Sequence, residues 1–286
     1  MRVGRIPYIN CYPVYGAIDR GIVQISGELV DGVPTALNRE MALGTLDVSV
    51  ISAVEYARDA KRYLLLPDLS ICSDGPVRSV VLFSKRPAAE LQGRRVLVSR
   101  SSMTSVALLE LLFENVWDAR PAFIPSDAEL SDVGRFGDEE HDARLVIGDA
   151  ALHLWSRLRS PGLYADDGTL SEYRYAYDLG GEWKRWTGLP FVFAVWAARR
   201  DAPAGPVQEI HAQLLEARRW GLAHLDELAA AAALGTGVAE DVCRAYLGDL
   251  DYALSYRHLA GLTDFFRRLA QEGVVPDGSL SFIAAA

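Results

Sequence analysis

The sequence predicts an α/β fold of two lobes with a ligand cleft between them. Short apolar runs alternate with amphipathic, Ala- and Leu-rich stretches over the first two-thirds of the chain, the pattern of strands joined by helical crossovers. Residues 206–273 carry almost no strand pattern and read as helices folded back onto an earlier sheet. Two apolar runs, 77–83 and 191–197, read as paired extended crossings that form a hinge. They put one lobe at 1–84 plus 195–286 and the other at 85–194. A chain of 286 residues, half of them hydrophobic, is long enough for two core-bearing units.

Strands are expected near 3–6, 46–51, 77–83, 95–98, 143–147 and 191–197, where apolar runs rich in β-branched residues or aromatics stand between turn formers. Helices are expected near 12–20, 34–43, 54–61, 102–115, 150–158, 207–223, 239–246 and 263–272. Pro13 suits an early position of the first of these, its missing N–H being one the helix cannot use. Gly235-Thr236-Gly237 reads as a turn between helices, and the acidic run at 138–142 as a solvated loop.

Composition removes several function classes. The net charge of −9 disfavours nucleic acid, whose phosphates need clustered Lys and Arg. The N-terminus shows no long apolar stretch behind a basic head, so neither a signal peptide nor a membrane anchor is expected and the protein is placed in the cytoplasm. Cys11, Cys72 and Cys243 are odd in number, widely spread and without a C-x-x-C pair, which predicts reduced thiols rather than a disulfide framework or a zinc site. The five histidines lack ligand spacing, and no H-E-x-x-H, G-x-S-x-G, Walker-type loop or strand-anchored G-x-G-x-x-G is present. The expected site holds no metal and no cofactor.

The remaining signal lies where strands run into helices, because the unpaired N–H groups of a helix start attract anions. Pro7-Tyr8-Ile9-Asn10-Cys11-Tyr12-Pro13 is one such junction, with Asn10 as a possible cap. Gly32-Val33-Pro34-Thr35 is a second. The third, from Ser99 to Ser105, is crowded with hydroxyls and is the most specific; one serine capping a helix among solvated neighbours is the alternative reading. Gly148-Asp149 ends another strand, and Asp149 serves either as a cap or as an acceptor or base facing the cleft. Cys11 has no histidine nearby in sequence and reads as a packed thiol. The stretch 183–191 reads as hinge packing in which Thr187 or a ring lines the cleft.

An ordered set of segments resembles the chorismate dehydratases of the futalosine route to menaquinone, which have the type II periplasmic-binding-protein fold. It comprises Tyr8-Ile9-Asn10 with Pro13, Gly32-Val33-Pro34-Thr35 with Leu37-Asn38, Gly44-Thr45-Leu46-Asp47-Val48-Ser49 with Ile51-Ser52, and Val77-Arg78-Ser79-Val80. It continues through Ser102-Met103-Thr104-Ser105, Ile147-Gly148-Asp149-Ala150-Ala151-Leu152, Asp178-Leu179-Gly180 with Trp183, and Thr187-Gly188-Leu189-Pro190-Phe191. A sister family of the same pathway is expected to carry a histidine base where this chain has Gly148-Asp149. The resemblance implies cofactor-independent loss of water from chorismate, a small dianion, to give 3-[(1-carboxyvinyl)oxy]benzoate. The C3 proton, acidified by conjugation to the ring carboxylate, leaves first, the C4 hydroxyl follows, and aromatisation drives the reaction.

On this resemblance Asn10 and Ser79 are the expected catalytic contacts. Ser102, Thr104 and Ser105 are expected to hold a carboxylate, with Tyr8, Thr35, Ser52, Asp149 and Thr187 as further contacts. The base is either the substrate's enolpyruvyl carboxylate or Asp149. A non-catalytic small-anion binding protein of the same fold and the sister dihydroxynaphthoate synthase are the alternatives, and nothing in the sequence sets an oligomeric state.

Overall fold

A computed structural model describes residues 1–126, 140–159 and 170–284. Its strands are β1 (Arg2–Arg5), β2 (Glu28–Asp31), β3 (Val48–Ser52), β4 (Tyr63–Ser73), β5 (Val80–Ser84), β6 (Arg95–Ser99), β7 (Ala122–Ser126), β8 (Ala143–Ile147), β9 (Tyr175–Asp178) and β10 (Phe191–Arg199). Its helices are α1 (Tyr12–Asp19), α2 (Pro34–Leu43), α3 (Ala53–Arg58), α4 (Met103–Asn115), α5 (Gly148–Arg159), α6 (Leu179–Thr187), α7 (Ala204–Ala223), α8 (Leu225–Thr236), α9 (Glu240–Asp249) and α10 (Tyr256–Gln271). A single 3-10 turn, Ile9–Cys11, links β1 to α1.

Two five-stranded sheets share one plan. The first runs β2-β1-β3-β10-β4 and the second β7-β6-β8-β5-β9. In each, three adjacent strands are parallel, a fourth, β10 or β5, enters antiparallel, and the edge strand beyond it, β4 or β9, runs the same way as the first three. That fourth strand comes from beyond a crossing between the sheets. The central strands β3, β5 and β8 are buried along their whole length, as sheets covered on both faces require.

The crossings differ from the expected ones. Residues 77–79 do not continue β5: Arg78 has φ +63°, a left-handed backbone that turns the chain, and Asp178 accepts from the Val77 and Arg78 N–H groups at 2.9 and 2.6 Å. The sheets therefore exchange chain at 74–79 and again at 188–190. The boundary drawn after residue 84 falls at the far end of β5, which pairs throughout with β8 and along most of its length with β9 in the second sheet. The run 191–197 lies inside the first sheet, between β3 and β4, and is not paired with 77–83. Asp178 also caps α6 through Gly181 N–H at 3.0 Å, so one carboxylate holds the outgoing crossing to the start of the returning segment.

Helix α10 begins earlier than expected, at Tyr256, behind a Ser255–His258 capping box. Helix α6 is not among the expected helices; α8 falls in the stretch read as helical without being delimited there, and Gly235 and Thr236 close it, with Gly237 in the left-handed position after it. Of the acidic run 138–142, the first two residues lie outside the described segments. Trp183 packs edge-on against Phe191 and Phe265 and donates to the Pro190 carbonyl at 3.2 Å, so 183–191 is core packing at the return crossing. Among the described residues no helix is long and apolar enough to cross a membrane.

Candidate active site

Between the sheets lies a cavity of about 70 Å3. Its polar wall is Tyr8, Asn10, Ser52, Ser79, Ser102 and Ser105; its apolar wall includes Ile6, Ile71, Val77, Ile147 and Phe193. No Asp, Glu, Lys, Arg or His is among these residues. The wall gathers the starts of α2 at Pro34, α4 at Ser102 and α5 at Gly148, whose aligned peptide dipoles supply positive potential without a charged side chain.

Each polar side chain is held by its own element. The 3-10 turn follows β1 directly and carries Asn10; Tyr8 is the turn's cap residue and Cys11 that of α1, so Asn10 caps neither. Its Oδ1 is buried with no hydrogen-bond partner among the described residues, and such a group costs about 1–3 kcal/mol unless a ligand answers it. Ser52 caps α3 by accepting from Glu55 N–H at 3.2 Å, while Asn38 Nδ2 donates to the same oxygen at 2.9 Å. Ser102 caps α4 by accepting from Ser105 N–H at 3.3 Å and donates to Ser105 Oγ at 2.7 Å. Ser79 accepts from Tyr246 at 2.8 Å.

The other expected residues stand elsewhere. Thr35 is half-buried one residue inside α2, and its neighbour Pro34 takes the cavity wall. The Thr104 hydroxyl faces the opposite lobe, where it accepts from Val54 N–H at 3.2 Å. Thr187 is spent on the end of α6, donating to Trp183 O at 2.9 Å and accepting from Leu189 N–H at 3.1 Å, because a helix end must satisfy its last groups locally. Asp149 is off the wall, and its carboxylate accepts from Ile9 N–H at 3.2 Å across the cleft. Burial pushes that carboxyl up to about 6, against the pull of the Ile9 N–H. The Cys11 thiol is also raised, by burial first and Asp149 second, which removes it as a nucleophile.

Asn38 and Tyr246 were missed as site residues. Asn38 had a signal, a polar residue between Leu37 and Met41 on the buried face of α2. Tyr246 had none, being one aromatic in a long helical tail.

The family model for menaquinone biosynthesis matches residues 1–271. A curated chorismate dehydratase from Thermus thermophilus is 34% identical over 271 residues, covering 92% of this chain and 95% of that protein. A crystal structure from Archaeoglobus fulgidus superposes with a TM-score of 0.72 at 22% identity, over 96% of this chain and 98% of that one. A Candida albicans protein, described as having the generic periplasmic binding protein fold, superposes with a TM-score of 0.61 at 13% identity, over 100% and 98%. The fold is thus of the periplasmic-binding-protein kind.

Proposed function

The chain belongs to the menaquinone-biosynthesis family, and from that membership and the make-up of the cavity we infer that it is a chorismate dehydratase, a cofactor-independent hydro-lyase acting in the cytoplasm. The observation that carries the reading at the site is a cavity whose polar side chains, among the described residues, are hydroxyls and one amide, set at helix starts. Chorismate brings two carboxylates and no cation. Donors without formal charge can hold such a dianion and leave its carboxylates basic, whereas a lysine or arginine would pair with them and lower that basicity.

Ser52, Ser79 and Ser105 supply donors to carboxylate oxygens, Ser102 spends its proton on Ser105 Oγ and so leaves the Ser105 proton for the cavity, and Asn10 meets the substrate beside the reacting carbons. An amide is too weak a base to take the C3 proton. With no acidic or basic side chain on the wall among the described residues, the enolpyruvyl carboxylate is the base that the arrangement favours. Negative charge then flows from C3 to the ring carboxylate, the C4 hydroxyl departs and takes up the proton removed from C3 to leave as water, and the ring becomes aromatic with the enolpyruvyl carboxylate again ionised. Chain contributions are orientation, donors already in place, and exclusion of water.

The test is to mix purified protein with chorismate, without metal or nucleotide, and follow the mass of the product. The expected product is lighter by one water; its absence overturns the reading. Asp149→Asn is expected to keep turnover within roughly tenfold, because the amide oxygen can still accept from Ile9 N–H, whereas loss of a true general base costs about 10²–10⁴-fold.

A further inference from the structure

We propose that Tyr246 is a positioning residue that fixes the Ser79 hydroxyl as a hydrogen-bond donor into the cavity, an inference that rests on the dehydratase reading of that cavity. Tyr246 lies on α9 and is buried behind the outgoing crossing, with its hydroxyl 2.8 Å from Ser79 Oγ. If serine were the donor, the phenolic proton would be buried with no acceptor among the described residues. With tyrosine donating, the phenol is satisfied and the serine proton is left for the cavity that Ser79 lines. Burial raises the Tyr246 phenol far above its ordinary range, so it keeps the proton it donates.

The segment carrying Ser79 is held from several sides. Arg78 sits in a left-handed backbone conformation, and its guanidinium pairs with Asp249, three residues beyond Tyr246 on α9. The Ser79 carbonyl accepts from Gly148 N–H at 2.8 Å. An unfavourable backbone kept in place by this many partners points to a functional position. The same polarity recurs at Ser52, whose oxygen accepts twice, from Asn38 and Glu55, leaving its proton for the cavity. A carboxylate offers only acceptors, so a hydroxyl that already accepts from the protein, and whose proton is thereby left free, is the right partner for it. In the reaction, a donor fixed in advance gains strength as charge reaches the ring carboxylate, and this favours the transition state over bound substrate.

The experiment is a double-mutant cycle on the full chain with chorismate. Tyr246→Phe is expected to lower kcat roughly tenfold with KM changed less than about twofold, and Ser79→Ala to lower kcat roughly 10²-fold. In the Ser79→Ala background, Tyr246→Phe is expected to change kcat by less than about twofold. Equal losses in both backgrounds, or full activity of Tyr246→Phe, overturn the proposal. Should Tyr246→Phe fail to fold, the proposal is read from the Tyr246 hydroxyl proton by NMR of tyrosine-labelled wild-type and Ser79→Ala proteins. A resonance displaced by the serine substitution supports it, and an unmoved one overturns it. Wild-type turnover, measured alongside, reports on the dehydratase reading alone, and the NMR comparison requires no turnover.

Discussion

Asp149 is the residue whose chemistry can be separated most cleanly from its position. Its folded-state pKa of about 6 lies above the ordinary 3.8, so the folded protein holds the extra proton between those values. Stability contributed by this group is therefore greatest at low pH, falls as pH rises from about 4 to 6, and stays lost above, a total of roughly 3 kcal/mol. Asp149→Asn mimics the protonated form. The variant is expected to melt higher than wild type at pH 7.5, by an amount that shrinks towards zero near pH 4; calorimetry at both pH values checks this, and an equal shift at both would exclude it. Asn10→Ala removes an amide whose oxygen meets no partner among the described residues, so it is expected to fold normally and lose roughly 10²-fold or more in kcat. Full activity in that variant would remove Asn10 from the site. At this scale, Ser52 and Ser102 were legible because a helix start needs a capping oxygen that the sequence advertises. Thr104 and Thr187 misled for the same reason: a hydroxyl near a junction can serve the backbone of another element, and sequence does not show which.

Among the elements, α5 starts under an unusual restriction. Gly148 has φ +66°, and a Cβ there would meet the Tyr8 ring at 3.3 Å. Gly148→Ala is expected to destabilise by about 1–2 kcal/mol and to raise KM by displacing Tyr8 from the cavity wall, as thermal melts and steady-state kinetics would show. Gly261, inside α10, lies against the Pro190 carbonyl with no room for a Cβ. Gly261→Ala is expected to cost about 1–3 kcal/mol by pushing α10 off the return crossing, with a lower melting temperature as the readout. The strands that the sequence did not announce, β2, β4, β7 and β9, are the four sheet edges. Central strands are apolar on both faces and read as unbroken runs, whereas β2, β7 and β9 are partly exposed and mixed in character. Strand β4 hides itself differently. Pro67 and Asp68, the latter at φ +57°, interrupt it where its pairing with β10 skips from Leu65 to Ser70, a bulge that an edge tolerates and a central strand does not.

For the whole molecule, contacts across the cleft describe a closed state. Ile9 N–H meets Asp149, Val54 N–H meets Thr104, and Asn38 Nδ2 lies 3.3 Å from Met103 Sδ. None of these is an ion pair, and the surrounding chain carries a net charge of −9. Approach of a dianion is opposed by the long-range field, which salt screens as the Debye length falls from about 30 Å at 0.01 M to about 8 Å at 0.15 M. Raising salt over that range is expected to leave kcat/KM level or increase it; a steep fall would indicate a cationic site that the described residues of the cavity wall do not contain. The α/β class and the cleft were readable from alternating runs and junction chemistry, but the crossings were not, because a left-handed Arg78 stabilised by a carboxylate 100 residues away leaves no local mark. The exchange of antiparallel strands between sheets also bears on how the chain is made. Strand β3 emerges early from the ribosome, yet its neighbour β10 is not translated until the entire second sheet has been. At about 5–20 residues per second, that strand, buried along its whole length in the finished fold, waits on the order of ten seconds with one side unpaired. The nascent protein, more than the finished one, is where a chaperone would be needed.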